Sequence, residues 1–212
     1  MKSKYFSEFL GTAFLFCTVV GSGIMGQNLS SNDSLTLLAN TLATVFALYF
    51  LITIFGDHSS HFNPVVSMVM LVRKEISTQV CTAFIILQIS GAILGVMLAN
   101  YIFELDPVLF SEKPRSGSHL FVSEILATFG LLMVILLSSK EKVAVTVAAY
   151  IGAAYWFTSS TSFANPAGTI GRSFSNTFAG ISTNDILHFC VAQIIGAFLA
   201  LIVYRTFFES QK

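Results

Sequence analysis

Six long apolar stretches dominate the sequence of 212 residues and determine the class of fold. A membrane-spanning helix needs about 20 mainly apolar residues. The stretches that meet this length cover approximately residues 5–26, 35–56, 79–103, 119–139, 143–161 and 183–208. Only 10% of the residues are charged and 54% are hydrophobic, whereas a soluble domain usually carries about 25% charged residues. The sequence therefore predicts an all-α integral membrane protein with six transmembrane helices.

The distribution of charge excludes some partners and predicts the orientation in the membrane. The 11 Lys and Arg residues balance 11 Asp and Glu residues, so no net charge favours nucleic-acid binding. If the amino terminus is inside, the inner segments hold Lys2, Lys4, Arg73, Lys74, Lys140, Lys142, Arg205 and Lys212, and the outer segments hold Lys113, Arg115 and Arg172. Cytoplasmic segments carry the excess of Lys and Arg in membrane proteins. We therefore expect both termini to be cytoplasmic.

Neither the cysteines nor the other polar residues of the spans suggest a metal or a cofactor. Cys17, Cys81 and Cys190 lie far apart in apolar stretches and fit no zinc, haem or Cys-x-x-Cys spacing. They are typical of small core residues. We expect no metal, no cofactor and no enzyme activity.

Two apolar tracts that begin at Asn-Pro pairs are too short to span a bilayer. Residues 64–72 lie between the second and third spans, and residues 166–174 lie between the fifth and sixth. Asn is a good helix N-cap, and Pro suits the first helical turn. The pattern predicts two re-entrant half-helices that enter from opposite sides. Their positive dipole ends would meet at the bilayer centre and repel cations, while the amides of Asn63 and Asn165 donate to a passing polar solute.

The two halves of the sequence repeat one another. Three pentapeptides recur in the same order, at residues 8–12 and 124–128 (EFLGT, EILAT), 61–65 and 163–167 (HFNPV, FANPA), and 88–92 and 193–197 (QISGA, QIIGA). Because each half holds three spans, an odd number, the repeats at about 5–103 and 119–208 must be inverted within one domain of residues 1–212. Inverted repeats are typical of membrane transport, with the functional site near the midplane.

The motifs and the repeat resemble the aquaporin, or major intrinsic protein, family over about residues 5–208. The family signature is NPA in two copies. The second copy is intact here and the first ends in valine, so the motif residues are Asn63, Pro64, Val65, Asn165, Pro166 and Ala167. The resemblance implies six helices with two half-helices and a homotetramer with a pore in each subunit. It also implies that an Arg or the half-helix dipoles exclude protons and cations.

Glu8, Glu124 and His61 are the titratable residues for which both a structural and an active role are considered. The two glutamates correspond to the family's repeat glutamates. Their symmetry favours a structural role in which each accepts hydrogen bonds from a re-entrant loop, although intramembrane acids are also typical of proton relays. His61 is expected to be a structural or pore-lining neighbour of Asn63.

In the resembled family, four positions line the narrowest outer point of the pore. Carried over without gaps, they are Ala43, Ala153, Ser162 and Gly168. Water-selective members place an aromatic residue, a His and an Arg there, and glycerol facilitators place two aromatic residues and an Arg. The four small side chains predict a wide outer filter, with a gap at Gly168 where the family has its Arg.

Arg172 is a further candidate for this filter. It lies one turn beyond Gly168 on nearly the same face, and helical side chains lean toward the amino terminus. Its guanidinium could reach back to the constriction, or it could lie at the pore mouth or pair with a loop carboxylate. The run Thr169-Ile170-Gly171-Arg172 after the motif is similar to a bacterial aquaglyceroporin subgroup associated with arsenic-resistance gene clusters.

The resemblance implies a passive channel for small uncharged solutes in a bacterial plasma membrane. The expected permeants are water, glycerol-like polyols and neutral metalloid hydroxides such as arsenite, and the expected surroundings are the lipid bilayer and further copies of the chain. A water-selective channel is the alternative within the class. A proton-coupled secondary transporter is the alternative from another class.

Overall fold

The computed structural model describes residues 2–209 and places eight α-helices, with no strand, in that part of the chain. Met1 and residues 210–212 lie outside the described residues. They include Lys212, which the sequence predicts to be on the cytoplasmic side. The helices are α1 (Lys2–Leu29), α2 (Asp33–Phe55), α3 (Pro64–Val72), α4 (Thr78–Ile102), α5 (Ser118–Leu137), α6 (Val143–Phe157), α7 (Pro166–Arg172) and α8 (Ile186–Phe207). The prediction of an all-helical membrane fold is confirmed.

Five of the helices, α1, α2, α4, α5 and α8, are long and apolar enough to cross a membrane. The fifth predicted span is shorter than expected, because α6 contains 15 residues and ends at Phe157 rather than near residue 161. At 1.5 Å per residue, α6 rises only about 22 Å. The chain leaves the helix at Thr158, whose backbone is extended, and it cannot resume a right-handed helix at Thr161 and Ser162, because these residues have positive φ angles of 60° and 49°.

The half-helices begin where the sequence predicts them. Pro64 and Pro166 occupy the first turns of α3 and α7, and the preceding Asn residues are extended N-caps. Proline lacks a backbone N–H, and the first turn of a helix needs none. Local chemistry thus starts both short helices inside the bundle.

Glycines bring the long helices into close contact. A Cβ atom on Gly95 of α4 would overlap the carbonyl oxygen of Ala13 on α1, and one on Gly196 of α8 would overlap that of Ile125 on α5. Small residues allow helix backbones in lipid to approach closely. The α1–α4 and α5–α8 pairs form the frame against which α3 and α7 pack.

Candidate functional site

The two Asn-Pro motifs meet inside the bundle and are hydrogen-bonded to each other's loops. The side-chain oxygen of Asn63 accepts from Val65 N–H, and that of Asn165 accepts from Ala167 N–H and Gly168 N–H. The amide of Asn63 donates to the Ala164 carbonyl at 2.7 Å. The amide of Asn165 donates to the Phe62 carbonyl at 2.8 Å.

These amides therefore hold the half-helices together in addition to any contact with a solute. An amide nitrogen carries two N–H donors, and each cross-bond uses one of them. Asn63 and Asn165 both line the central cavity. The second donor of each amide is the group available to a solute.

Glu8 acts as an acceptor for the first re-entrant loop. One carboxylate oxygen accepts from Ser59 Oγ (2.5 Å) and His61 N–H (2.8 Å), and the other accepts from Phe62 N–H (2.8 Å) and Gln88 Nε2 (2.7 Å). The side chain is fully buried. Phe62 has a positive φ of 47°, a conformation that is unfavourable for a bulky residue. The carboxylate holds the loop in that conformation.

Glu124 makes the equivalent bonds to the second loop. Its oxygens accept from Phe163 N–H (2.9 Å), Ala164 N–H (2.9 Å) and Gln193 Nε2 (2.7 Å). Glu124 is also fully buried, and Ala164 also has a φ of 47°. The two glutamates occupy equivalent places in the two halves of the chain, and both bind backbone.

A cavity of about 500 Å³ passes between the two half-helix N-termini. Its wall is mainly aliphatic and aromatic, with side chains from α1, α2, α5 and α6. Its polar members are Thr44, His58, Ser59, Ser60, His61, Asn63, Glu75, Lys140, Tyr155, Ser162, Asn165 and Arg172. A mainly apolar wall that also carries placed polar groups is typical of sites for small molecules.

Three of the four filter positions transferred from the family, Ala43, Ala153 and Gly168, do not line this cavity. Ala153 lies on the exposed side of α6, and Ala43 is half-buried beside the cavity wall. Thr44 and Tyr155 line it instead, and their hydroxyl groups are 3.1 Å apart. A helix turns about 100° per residue, so a shift of one residue in α2 and of two in α6 changes which side chain faces inward. The transfer without gaps therefore does not place these two residues in the wall of this cavity.

Ser162 lines the cavity as the motif predicts. Its hydroxyl is buried, and among the described residues it has no hydrogen-bond partner. Its backbone N–H is bonded to Ser160 Oγ at 3.3 Å. A buried hydroxyl without a protein partner is available to a solute or a water molecule.

Gly168 does not leave the gap that the sequence predicts. The Phe16 side chain of α1 covers it, and an added Cβ on Gly168 would overlap Cε1 and Cζ of that ring. Gly168 is buried and does not line the cavity, whereas Phe16 does. The space beside the glycine is filled by an aromatic ring from another helix.

Arg172 is buried and lines the cavity. Its Nε donates to the Ala179 carbonyl at 2.5 Å, and its guanidinium lies 3.3 Å from the centre of the Phe163 ring. Within residues 2–209 it forms no salt bridge. Pairing with a loop carboxylate, one of the alternatives left open by the sequence, is not found in the described part of the chain.

Two outer-loop cations that the sequence did not place in the site lie beside Arg172. The guanidinium of Arg115 is 4.7 Å from the centre of the same Phe163 ring and donates to the Gly180 and Ser160 carbonyls. Lys113 donates to the Phe178 carbonyl at 2.8 Å. Burial lowers the pKa of Arg115 to about 10. Burial and the charges of Arg115 and Arg172 lower the pKa of Lys113 to about 8.

His61 lines the opposite part of the cavity, in the first re-entrant loop. Its Nδ1 is 3.0 Å from Ser67 Oγ, and its ring packs edge-on against Phe84. Ser67 Oγ in turn accepts from Gln88 Nε2 at 3.0 Å. His61 thus belongs to the hydrogen-bond network that Glu8 organises. In the described residues, no group of three or more His, Cys, Asp or Glu side chains is arranged to hold a metal ion.

Comparison with known proteins agrees with this architecture. The family model described as "Major intrinsic protein" matches residues 1–204. The chain is 46% identical over 203 residues to "Aquaglyceroporin AqpS" of Rhizobium meliloti (strain 1021), covering 94% of this chain and 87% of that protein. It is 32% identical over 220 residues to "Glycerol uptake facilitator protein-like 6" of Lactiplantibacillus plantarum, covering 95% and 96%.

A solved structure shares the fold. The crystal structure of the aquaglyceroporin from Plasmodium falciparum superposes with a TM-score of 0.74 and covers 99% of this chain and 98% of that one. The two sequences are 18% identical. At this identity the match concerns the arrangement of helices alone.

Proposed function

Because the chain belongs to the major intrinsic protein family, we propose that it is a passive membrane channel for water and glycerol-like polyols. The cavity that passes between the N-termini of α3 and α7 carries this proposal. A neutral solute meets two asparagine amides there in an otherwise mainly apolar wall. Cations meet the positive ends of two helix dipoles. Members of this family are channels and not enzymes.

The bonding of the two buried glutamates supports passive rather than proton-coupled transport. All four carboxylate oxygens accept hydrogen bonds from backbone or side-chain donors. Protonation of either carboxyl would set an O–H donor against these donors and weaken the loop. A proton carrier needs a group that gains and loses its proton without such a cost.

The proposed filter at the outer end of the cavity consists of Thr44, Tyr155, Ser162 and Arg172. Ser162 Oγ lacks a partner among the described residues, and Arg172 uses only its Nε in the hydrogen bonds found there. These groups suit solutes that carry several hydroxyls, which include polyols and neutral metalloid hydroxides such as arsenite. The relatives named for glycerol and as aquaglyceroporins are consistent with such solutes.

A water-selective channel is the second candidate. Phe16 and Arg172 both border the cavity, although the sequence alone predicts an outer filter of four small side chains. An aromatic ring and a guanidinium narrow a pore in the way that a water filter requires. Flux of glycerol and urea, measured beside the flux of water, separates the two candidates.

We propose that the chain forms a single domain of two inverted repeats, at about residues 5–103 and 119–208, with both termini in the cytoplasm. The equivalent bonds of Glu8 and Glu124 support the repeat. The large apolar side chains exposed on the outside, such as Phe46 and Leu126, suit lipid or further copies of the chain in a homotetramer. The bacterial relatives support a bacterial plasma membrane as the location.

Stopped-flow swelling of proteoliposomes tests the function. We expect flux of water, glycerol and urea that follows the concentration gradient and is unaffected by a pH gradient. Water flux without glycerol or urea flux would identify the water-selective alternative. Flux that depends on a pH gradient and disappears in a folded Glu8→Gln variant would identify a proton-coupled transporter.

The asparagines provide the control within the same assay. Replacing both Asn63 and Asn165 by Ala removes the two cross-bonds and the two donors. We expect lower flux and lower yield of folded protein. If the double variant keeps the permeability and the yield of the wild type, the role assigned to the motifs is wrong.

A further inference from the structure

We propose that Phe16 of α1 determines the size of solute that passes the outer part of the cavity. This inference rests on the proposed channel function. The family resemblance places no filter residue on α1, and no motif singles out Phe16. The role of Phe16 is inferred from the packing of its ring against Gly168.

The first observation is that Phe16 occupies the space beside Gly168. The ring lies so close to the glycine that even a methyl group on Gly168 would overlap Cε1 and Cζ, and it would lie 3.3 Å from Cε2. The position where the family carries a long cation therefore admits no side chain here while Phe16 keeps its place. The missing bulk is supplied by the ring.

The second observation is that the ring belongs to the wall of the cavity. Phe16 lines it, together with Thr44, Tyr155 and Ser162, whereas Gly168 behind the ring does not. Phe16 is only 5% exposed in total, so most of its surface is packed against protein. A ring that is packed on one side and borders the cavity on the other is a rigid part of the wall.

The third observation concerns how α1 is held. Two turns before Phe16, Glu8 binds the first re-entrant loop through four hydrogen bonds. Gly11 lies against the Phe62 ring and leaves no room for a Cβ. These contacts fix the position of α1 relative to the motifs. Phe16 is thereby held in register with the outer half of the cavity.

An aromatic ring in a pore wall acts chiefly through size. It is stiff, with two side-chain torsions, and its face offers no strong hydrogen bond to a polyol. Its removal would enlarge the opening for long polyols, while water, which is smaller, already passes. Phe16 should therefore set the ratio of larger to smaller solutes more than the water flux.

The experiment compares glycerol, a three-carbon polyol, with xylitol, a five-carbon polyol, in proteoliposome swelling. In Phe16→Ala we expect the ratio of xylitol to glycerol permeability to rise about tenfold, which corresponds to about 1.4 kcal/mol in relative barrier height. Phe14→Ala is the matched control, because Phe14 lies on the same helix with 54% of its surface exposed on the outside. It should leave the ratio unchanged.

A second pair of variants tests the contact itself. Gly168→Ala should push the ring toward the cavity and lower glycerol flux several-fold. In the double variant Phe16→Ala with Gly168→Ala, the added methyl group occupies space that the ring has left. Glycerol flux should then recover to at least the wild-type value, so the effects of the two substitutions are strongly non-additive.

The outcomes separate this inference from the proposed function. If the wild type conducts neither water nor glycerol, the channel function fails. If the wild type conducts but a folded Phe16→Ala variant keeps the wild-type ratio, the role of Phe16 is wrong. Should Phe16→Ala fail to fold, Gly168→Ala and the milder Phe16→Leu decide: unchanged glycerol flux and unchanged ratio in both would overturn the proposal.

Discussion

Single carboxylates determine the shape of each re-entrant loop. Glu124 accepts three hydrogen bonds, two of them from the backbone N–H groups of Phe163 and of Ala164, which has a left-handed conformation. Only a group with two acceptor oxygens and no donor can satisfy all three donors. The same argument holds for Glu8. The presence of Glu8 and Glu124 inside the membrane is therefore explained by the hydrogen bonds that they accept, and it does not require a role as a proton carrier.

We expect Glu124→Gln to destabilise the protein. The amide has one oxygen, so its NH₂ group would face at least one buried donor, at a cost of about 1–3 kcal/mol. The midpoint of thermal unfolding in detergent should fall by several degrees. Glu112→Gln, on the exposed outer loop, is the control and should leave the midpoint unchanged. An unchanged midpoint in Glu124→Gln would contradict the role of the carboxylate as an acceptor.

The sequence predicts the starts of the two half-helices better than it predicts the inward faces of the long helices. Each half-helix begins with local bonds, because Asn63 and Asn165 cap their own helices, and local bonds can be predicted from the spacing of residues. Ala153 and Ala43 are predicted by counting along helices, and a rotation of one or two residues is enough to bring Thr44 and Tyr155 to the cavity wall instead. Phe16 could not have been found in this way. It reaches Gly168 through helix packing, across 152 positions of the sequence.

At the scale of the elements, each half-helix is capped by the same asparagine that binds the opposite loop. Capping uses the side-chain oxygen, and the cross-bond uses the nitrogen. One residue thus starts a helix and joins the two halves. An exchange of Asn for Asp separates these two functions, because Asp retains the acceptor and loses the donor.

We expect Asn165→Asp to admit cations. The carboxylate would still cap α7 and would interact favourably with its dipole, so the helix should persist. The bond to the Phe62 carbonyl would be replaced by a contact between two acceptors, and a negative charge would enter the cavity wall. Proton or sodium influx, reported by a dye inside proteoliposomes, should exceed that of the wild type.

The control for this substitution is Asn28→Asp, which adds the same charge at the exposed outer end of α1. It should produce no leak. If neither variant increases proton or sodium influx, the cation barrier does not depend on the charge at the half-helix N-termini.

The close packing of α4 against α1 predicts that Gly95 cannot be replaced by a larger residue without loss of stability. In an exposed helix, Gly→Ala stabilises by about 1 kcal/mol. At Gly95 the added methyl group would overlap the Ala13 carbonyl, so we expect the opposite sign and a lower midpoint of thermal unfolding. Ser90→Ala, at an exposed position on the same helix, should not lower it. A stabilised Gly95→Ala variant would disprove the close contact.

At the scale of the whole molecule, the basic side chains at the two ends of the cavity have different partners. At the end of the cavity that holds His61 and Glu75, Arg73 pairs with Glu75 and Glu209, and Lys140 pairs with Asp57 at 2.9 Å. At the opposite end, Lys113, Arg115 and Arg172 form no salt bridge within the described residues. Their donors bind the consecutive carbonyls of residues 178–180. Three positive charges without a salt-bridge partner among the described residues add to the dipoles of the half-helices in repelling cations.

The cluster of Lys113, Arg115 and Arg172 destabilises the folded protein by an amount that depends on pH. The titration of Lys113 causes this dependence. Burial and the neighbouring guanidiniums of Arg115 and Arg172 lower its pKa from 10.5 to about 8, and Asp33 offsets this only in part. Between pH 8 and pH 10.5 the unfolded chain binds more protons than the folded protein at this residue. The contribution of Lys113 to the free energy of unfolding therefore rises as the pH increases through this window.

We expect a Lys113→Met variant, which keeps an unbranched side chain and cannot titrate, to be more stable than the wild type at pH 7. The difference should shrink by pH 9.5, because the wild-type lysine is by then mostly neutral. Thermal unfolding in detergent at the two pH values measures it. Lys140→Met is the control: Asp57 raises the pKa of Lys140 above 10.5, so its effect on the midpoint should stay the same between pH 7 and pH 9.5. A Lys113→Met effect that is equally independent of pH would mean that the outer cluster does not strain the folded protein, and the repulsion among its three cations would have to be screened by solvent.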